Sequence, residues 1–462
     1  MKPLLTELPY CSDGARLFAH IAHRPWAIYL DSGTPGSSYG RYDILAADPF
    51  VTLVTRGNET EIRNRESATT SRDDPFRLLQ ATLRRFPGGS GELPFSGGAM
   101  GYFAYDLARR LEKLPVLAED AEHMPQMAVG LYDWAVVLDH QARRAWLAGQ
   151  GHDPHTLQQW PVLRELFGGI DVAAPAGEFR VDAGVHSNMD KPGYAAAFRR
   201  VQDYIYAGDC YQVNLAQRFE ADATGDPWQA YLQLRQISPA PFSAYFNTPD
   251  AQILSASPER FLQLRDGRVE TKPIKGTRPR ASDPLQDRAN AEELLGSLKD
   301  RAENLMIVDL LRNDIGKNCA IGSVKAEQLF ALESFANVHH LVSTVSGVLA
   351  EGHDAIDLLR GCFPGGSITG APKLRAMQII EELEPHQRGV YCGAIGYIGF
   401  DGGMDTNIAI RTAVYSRNKI RFWAGGGIVA DSEMEKEYRE TWDKASSMLQ
   451  LMKHFGAQNV DR

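Results

Sequence analysis

Along the chain, hydrophobic runs rich in β-branched and aromatic residues are separated by polar breaks that carry Gly and Pro. PWAIYLDSG and RYDILAADPFVTLVTRG, over residues 24–56, read as paired strands joined by a turn. The polar run ETEIRNRESATTSR reads as a loop. Asp74 before Pro75 starts a helix over DPFRLLQATLRRF, and FSGGAMGYFAYDLARRLEKL passes from strand to helix between glycine-rich turns. GLYDWAVVLDHQARRAWLAG reads as a β-hairpin, followed by a short helix near Leu157 to Leu166. Residues 171–190, small, polar and punctuated by Pro and Gly, are the candidate linker. Beyond it, GYAAAFRRVQDYIYAG has helical periodicity and ends at Gly208, and CYQVNLAQRFEA is strand-like. TKPIKGTRPR reads as a loop, and one long helical run is expected from about Ala289 to Leu311. Strands AIGYIGF, NIAIRTAVYS and KIRFWAGGGIV then lead into a last helix from Glu433. These elements predict two sheets with helices outside, in which residues 1–170 form an N-terminal supporting region and residues 191–462 a catalytic region.

Composition narrows the class. At 462 residues and 44% hydrophobic content the chain can bury a large core, and 23% charged residues exclude a disordered or low-complexity reading. A formal net charge of −9, with no long Lys/Arg run, argues against nucleic acid and anionic membranes and for a small-molecule partner. The segment MKPLLTELPYCSDG lacks a signal-peptide core and no apolar run is long enough to span a bilayer, so a cytoplasmic location is expected. The five cysteines are far apart and include no CxxC pair, so neither a disulfide framework nor a zinc site follows; Cys362 is expected to be a small core residue.

The chemistry concentrates in the second half. In GGGIVADSEMEKEYRETWDKA, Ser432 and Glu435 have capping-box spacing, and Glu433, Glu437, Glu440 and Lys444 then fall on one helical face. Alone, this is a solvated acidic face. With a second acidic helix, for which Glu303 in DRAENLMIVDLLRNDIG is the candidate, it becomes a seat for a hard divalent cation. GGSITGAPKLRAM is a glycine-rich turn feeding a helix with Pro372 in its first turn, suited to an anion; it is not a phosphate-binding Walker loop, because Ala371 stands where Lys is required. Lys275, between Pro273 and Gly276, is either a surface lysine or, if desolvated, a nucleophile.

Nine blocks carry a resemblance: GDCYQVNLAQRF, SASPERF, PIKGTRPR, RAENLMIVDLLRNDIG, VHHLVSTVSGVL, FPGGSITGAPKLRAM, RGVYCGAIGYIG, MDTNIAIRTAVY and AGGGIVADSEMEKEYRET. In order and spacing they resemble the chorismate-utilising enzymes, whose branches make anthranilate, aminodeoxychorismate, isochorismate and salicylate. LDSGTPGSSYGRYDILAADP extends the likeness toward the N-terminus. The resemblance implies an α/β fold of the α+β kind, like that of anthranilate synthase component I: two packed, mainly antiparallel sheets flanked by helices. It implies Mg²⁺ on Glu303 and Glu440 with Glu437 close by, and His340, Ser367 and the backbone of Gly426 and Gly427 around chorismate. Tyr391, Arg411 and Lys444 look like contacts to its carboxylates, and Glu259 like the general acid for the departing C4 hydroxyl. The PIKGT form, with Lys275 where anthranilate synthases resemble PIAGT, belongs to the aminodeoxychorismate branch, in which the lysine adds at C2 before ammonia adds at C4. Gln212 replaces the lysine that activates water in the isochorismate and salicylate branches. The implied reaction is amination of chorismate to 4-amino-4-deoxychorismate for 4-aminobenzoate and folate synthesis, with ammonia from a glutamine amidotransferase subunit. The alternative is anthranilate synthase component I. Leu30, Asp31 and Ser32 resemble the segment where relatives hold tryptophan.

Overall fold

The computed structural model describes the chain except residues 1–3, 34–38, 90, 170–176, 183, 335–337 and 460–462. Two large sheets pack face to face. The first, of 13 strands, runs in spatial order Leu4–Leu8, Arg144–Gly149, Trp134–Asp139, Tyr42–Ala46, Ala27–Asp31, Phe242–Asn247, Gln252–Ser257, Thr412–Ser416, Lys419–Ile428, Gln212–Gly225 and Phe179–Val181. His186–Ser187 and Gly370–Ala371 also pair with Gln212–Gly225. The second, of 12 strands, runs Ile274–Pro279, Val338–Val348, Arg268–Thr271, Arg260–Arg265, Met404–Asn407, Ala394–Gly399, Gly98–Phe103, Met127–Tyr132, Val51–Arg56, Glu59–Asn64 and Ala68–Ser71, with Lys325–Ser334 on Val338–Val348. The strand pairings within both are antiparallel, as expected.

Period-two alternation sorts side chains into layers. Ile28 and Phe246 point into the core between the sheets, against Met100, Tyr102 and Ile395 of the second sheet. Their neighbours Tyr29 and Tyr245 point outward, under helices Gly14–Phe18, Pro227–Ile237 and Met434–His454. The outer face of the second sheet, with Leu53, Phe103 and Leu262, is covered by helices including Pro75–Leu83, Leu298–Gly316 and Ala355–Cys362. Strands buried on both faces, such as Trp134–Asp139, are therefore apolar almost throughout. All five cysteines are buried and unpaired, with Cys362 in the core under the second sheet.

Three local expectations change. ETEIRNRESATTSR is not a loop: Glu59–Asn64 and Ala68–Ser71 form an exposed edge meander, and solvent on one side explains polarity that masks the strand pattern. The helical run breaks at Ser297, whose extended backbone and side-chain bond from Asp300 N (3.2 Å) cap a second helix, Leu298–Gly316, after Pro284–Gly296. Within the expected linker, residues 171–176 and 183 lie outside the described residues, while Phe179–Val181 and His186–Ser187 are strands of the first sheet. In each sheet the strands from before residue 170 form one block and those from after residue 190 another, joined where Ala27–Asp31 pairs with Phe242–Asn247 and Gly98–Phe103 with Ala394–Gly399, so the two stretches share one framework. No helix among the described residues is long and apolar enough to cross a membrane.

Candidate active site

Two adjacent crossovers between the sheets build the floor of the site. The chain leaves the first sheet after Ser257 and enters the second at Arg260, passing through Pro258 and Glu259; it returns after Asn407, through residues 408–411, to Thr412. The crossovers are tied together by Ile408 N to Glu259 O (3.0 Å), Ser257 Oγ to Ile408 O (2.6 Å) and Ala256 N to Arg411 O (3.0 Å). Arg411 takes a left-handed backbone, φ +50°, to make the turn. Glu259 is buried, with 6% of its surface exposed, and Ser367 Oγ donates to its Oε1 at 2.8 Å. Burial raises its carboxyl to about 7, against the pull of Ser367, Lys275, Lys444 and Arg411. Burial lowers the Arg411 guanidinium, which Glu259 opposes.

Ser367 lies in the turn Gly366–Ile368. Its loop is anchored by Lys373 Nζ, which donates to the carbonyls of Cys362 and Pro364 at 2.8 Å each and pairs with Asp314 at 2.6 Å. Pro372 is the residue before helix Lys373–Leu383 rather than inside its first turn, because Gly370–Ala371 is held as a strand against Gln212 and Val213.

The acidic wall comes from two helices. Glu437, Glu440 and Lys444 line one face of Met434–His454 as their spacing requires, with Lys444 Nζ 2.6 Å from Glu440 Oε1 and donating to Gly425 O at 2.9 Å. Glu433 does not join them; it is exposed and pairs with Lys436 at 2.7 Å. The expected capping box does not form. Ser432 Oγ donates to Glu437 Oε1 instead (2.6 Å), and Glu435 pairs with Lys191, so tertiary partners outbid the local cap. Gly426 lies close under this wall: a Cβ there would sit 3.1 Å from Glu437 Oε2 and 3.4 Å from Glu440 Oε1, so a side chain would crowd both carboxylates. Glu303 approaches from Leu298–Gly316, with Lys299 Nζ 3.8 Å away. Burial raises Glu303 and Glu437, with Glu440 adding to both; Lys444 lowers Glu440. Among the described residues no three His, Cys, Asp or Glu side chains close up as a metal cage by themselves. Two helix-borne carboxylates with a third beside them could instead hold a hard cation that takes its remaining oxygens from substrate and water.

Lys275 is not on a loop but on the edge strand Ile274–Pro279, where a one-residue irregularity against Val338–Val348 displaces it from the ladder. A loop-like composition conceals the strand, because its partner comes from more than 60 residues later in the chain. Arg278, three residues further on, is drawn away to Glu293 and Asp300 at 3.1 Å each. His340 stands opposite Thr277 and is buried; burial, with Arg411 nearby, pushes its ring down to about 3, so it is neutral at working pH.

Tyr391 stacks on Trp423, centroids 6.0 Å apart, and is 4% exposed. A Cβ at Gly427 would lie 3.0 Å from the amide of Gln212, which is completely buried with neither amide atom hydrogen-bonded. Lys275 and Lys444, each acting on both Glu259 and Glu440, link the cluster of Glu259, Ser367 and Arg411 to the wall of Glu303, Glu437 and Glu440. Sequence reasoning missed Thr277, Lys299 and the role of Ser432; only Lys299, four residues before Glu303, left a helical-spacing signal.

Asp31 and Ser32 lie elsewhere, on a cavity of about 670 Å³ reached also by Tyr39, Arg260 and Asp405 and by neither Glu259 nor Lys275. Their side chains face its wall: Asp31 pairs with Arg235 at 2.6 Å, and Ser32 Oγ donates to Asp43 at 2.7 Å.

A family model described as chorismate binding enzyme matches residues 26–450. The chain is 48% identical to the aminodeoxychorismate synthase component 1 of Escherichia coli K12, covering 98% of this chain and 99% of that protein. It is 41% identical to the anthranilate synthase component 1 of Thermus thermophilus over 82% of each. Among solved structures, the anthranilate synthase component I of Streptococcus pneumoniae superposes with a TM-score of 0.79 at 33% identity, covering 88% of this chain and 92% of that one.

Proposed function

The chain belongs to the family of chorismate binding enzymes, and on that premise we propose that it aminates chorismate with ammonia to 4-amino-4-deoxychorismate in the cytoplasm, the ammonia coming from a partner subunit that hydrolyses glutamine. One observation carries the reading. Lys275 acts electrostatically on Glu259, Glu303 and Glu440 alike, so its amine is close to both the proton donor and the acidic wall, and its place in the PIKGT run singles it out from Lys444 and Lys299 as the amine that bonds to the ring.

In the proposed sequence Glu259, held protonated by burial, gives its proton to the C4 hydroxyl, which departs as water while the Lys275 nitrogen bonds to C2. Ammonia then bonds to C4 as the C2–N bond breaks and its electron pair returns to the Lys275 nitrogen, and the proton shed by the new C4 nitrogen goes back to Glu259. The enolpyruvyl group stays on the ring. Arg411, Tyr391 and Lys444 would orient the substrate carboxylates, with Ser367, His340 and the backbone of Gly426 and Gly427 around the ring. Mg²⁺ on Glu303 and Glu440, with Glu437 beside them, would supply the positive charge that lets a ring carboxylate approach this wall. Gln212, an amide, does not activate water as a lysine would. The cavity at Asp31 and Ser32 lies within the ~300–1,000 Å³ range of small-molecule sites and is the proposed seat of tryptophan.

Anthranilate synthase component I is the second reading, on the likeness to the Thermus protein. Incubation with chorismate, Mg²⁺ and an ammonium salt separates the two: mass spectrometry should find 4-amino-4-deoxychorismate and no pyruvate. Anthranilate with stoichiometric pyruvate would replace the first reading by the second.

A further inference from the structure

Lys275 lies in a backbone irregularity whose two sides are both held. Ile274 stands opposite Val342 and Thr277 opposite His340, so the edge strand advances three residues while its partner advances two. Lys275 and Gly276 share the place of one ladder residue, which is the arrangement by which a bulge re-aims a side chain. Gly276 adopts φ +83°, and a Cβ there would lie 2.8 Å from Leu294 Cδ1 and 3.0 Å from Asp300 Cβ. The bulge therefore abuts the two helices on one side and has no room to move that way.

On the other side stands His340. Thr277 Oγ1 and His340 Nδ1 share a hydrogen bond of 2.9 Å, and the ring also bonds the backbone of Gly276. One imidazole thus engages both residues that follow the lysine. Beyond them Arg278 is tied to Glu293 and Asp300. Every residue from 276 to 278 is fixed by a named contact, so the backbone that carries the partly buried Lys275 side chain is held from the residue after it onward.

We infer that Thr277 is a positioning residue for the amination, and that with His340 it forms a latch holding the Lys275 bulge at the distance and angle from which the amine meets the ring. The inference rests on the proposed role of Lys275 as the group that bonds to the substrate. The latch suits its place because His340 is neutral: a fixed cation here would repel the ammonium charge that develops on the lysine nitrogen as it bonds to C2 and would compete for the substrate carboxylates, whereas a neutral ring offers one donor and one acceptor. Bond formation tolerates little error in approach, and displacing a reacting group by about 1 Å costs roughly 10²-fold in rate. Thr277 reaches the site only through His340, which the proposed function places beside the ring, so its loss should be felt far more in the chemical step than in chorismate binding.

The test compares Thr277→Val, which keeps the shape and removes the hydroxyl, with Thr277→Ser, which keeps the hydroxyl. Both are assayed on the full chain with chorismate, Mg²⁺ and ammonium chloride, beside Lys275→Ala. Thr277→Val should lose roughly 10- to 100-fold in kcat, keep its chorismate Kd within about threefold by titration calorimetry, and give a weaker lysine adduct by intact-protein mass spectrometry without ammonia. Thr277→Ser should recover most of the rate. Should Thr277→Val fail to fold, Thr277→Ala reports on the same hydroxyl. Wild-type kcat in the variant that lacks the hydroxyl, or a loss confined to chorismate affinity, or no recovery in Thr277→Ser, overturns the latch. Retention of the wild-type rate by Lys275→Ala is a separate outcome, which removes the nucleophile reading and the latch with it.

Discussion

Two buried polar clusters, one behind the Asp31 cavity and one in the candidate active site, are completed differently. In the first, all four carboxylate oxygens are partnered within the chain. Asp31 accepts from Gly33 N at 2.8 Å, Arg235 Nε at 2.6 Å and Tyr231 at 2.9 Å; Asp43 accepts from Ser32 N and Oγ at 2.9 and 2.7 Å and from Tyr29 at 2.8 Å, with His140 Nε2 3.1 Å away. In the second, Glu259 is raised to about 7 by burial, Glu303 and Glu437 are raised too, and Gln212 is sealed in with both amide atoms unmatched. A closed network spends its hydrogen bonds on shape. An open one keeps buried polar groups whose desolvation a ligand can offset.

The contrast implies opposite responses to mutation. Lys275→Ala should cut amination by roughly 10²-fold or more while leaving the thermal midpoint close to wild type. An equal loss of both would mean that the site is part of the framework. Arg235→Ala should do the reverse. It strands Asp31 in a fully buried position, and removal of one partner of a buried pair costs about 3–5 kcal/mol, read as a lower urea midpoint with the activity of the folded fraction unchanged. If stability holds, the network is not a closed one.

EDTA should abolish turnover while leaving the midpoint little changed, and added Mg²⁺ should restore it; full activity in metal-free buffer would remove Glu303 and Glu440 from the assignment. A milder effect comes from pH. The acid form of Glu259 is the useful one, and because its carboxyl is raised it is protonated below about 7 and loses its proton above that. At fixed free ammonia, the rate should fall about tenfold per unit on the alkaline side, and a profile with no alkaline limb would displace Glu259 as the acid. By the same sign, the stability contributed by this group is present at low pH and lost as pH rises through about 7. The smallest change is expected for Ser432→Ala, which removes one hydrogen bond from Glu437 and should weaken apparent Mg²⁺ affinity by only a fewfold. No change in that affinity would detach Glu437 from the cation.

What could be read from residue order alone follows from range. Helical spacing placed Glu437, Glu440 and Lys444 on one face, because 3.6 residues per turn is a local rule that no distant contact alters. Asp74 caps its helix as expected, accepting from Phe76 N at 2.9 Å, for the same reason. The nine family blocks identified the family and the two antiparallel sheets. Tertiary structure decided the rest. Ser432 left the cap it was spaced for because a buried carboxylate offered its hydroxyl a stronger partner. Lys275 lies in a bulge because register is counted against a strand more than 60 residues away. Glu259 and Arg411 meet because two crossovers, some 150 residues apart in sequence, are hydrogen-bonded side by side. Whether a polar group is satisfied depends on every element that packs against it, and that sum exists only once the chain has folded.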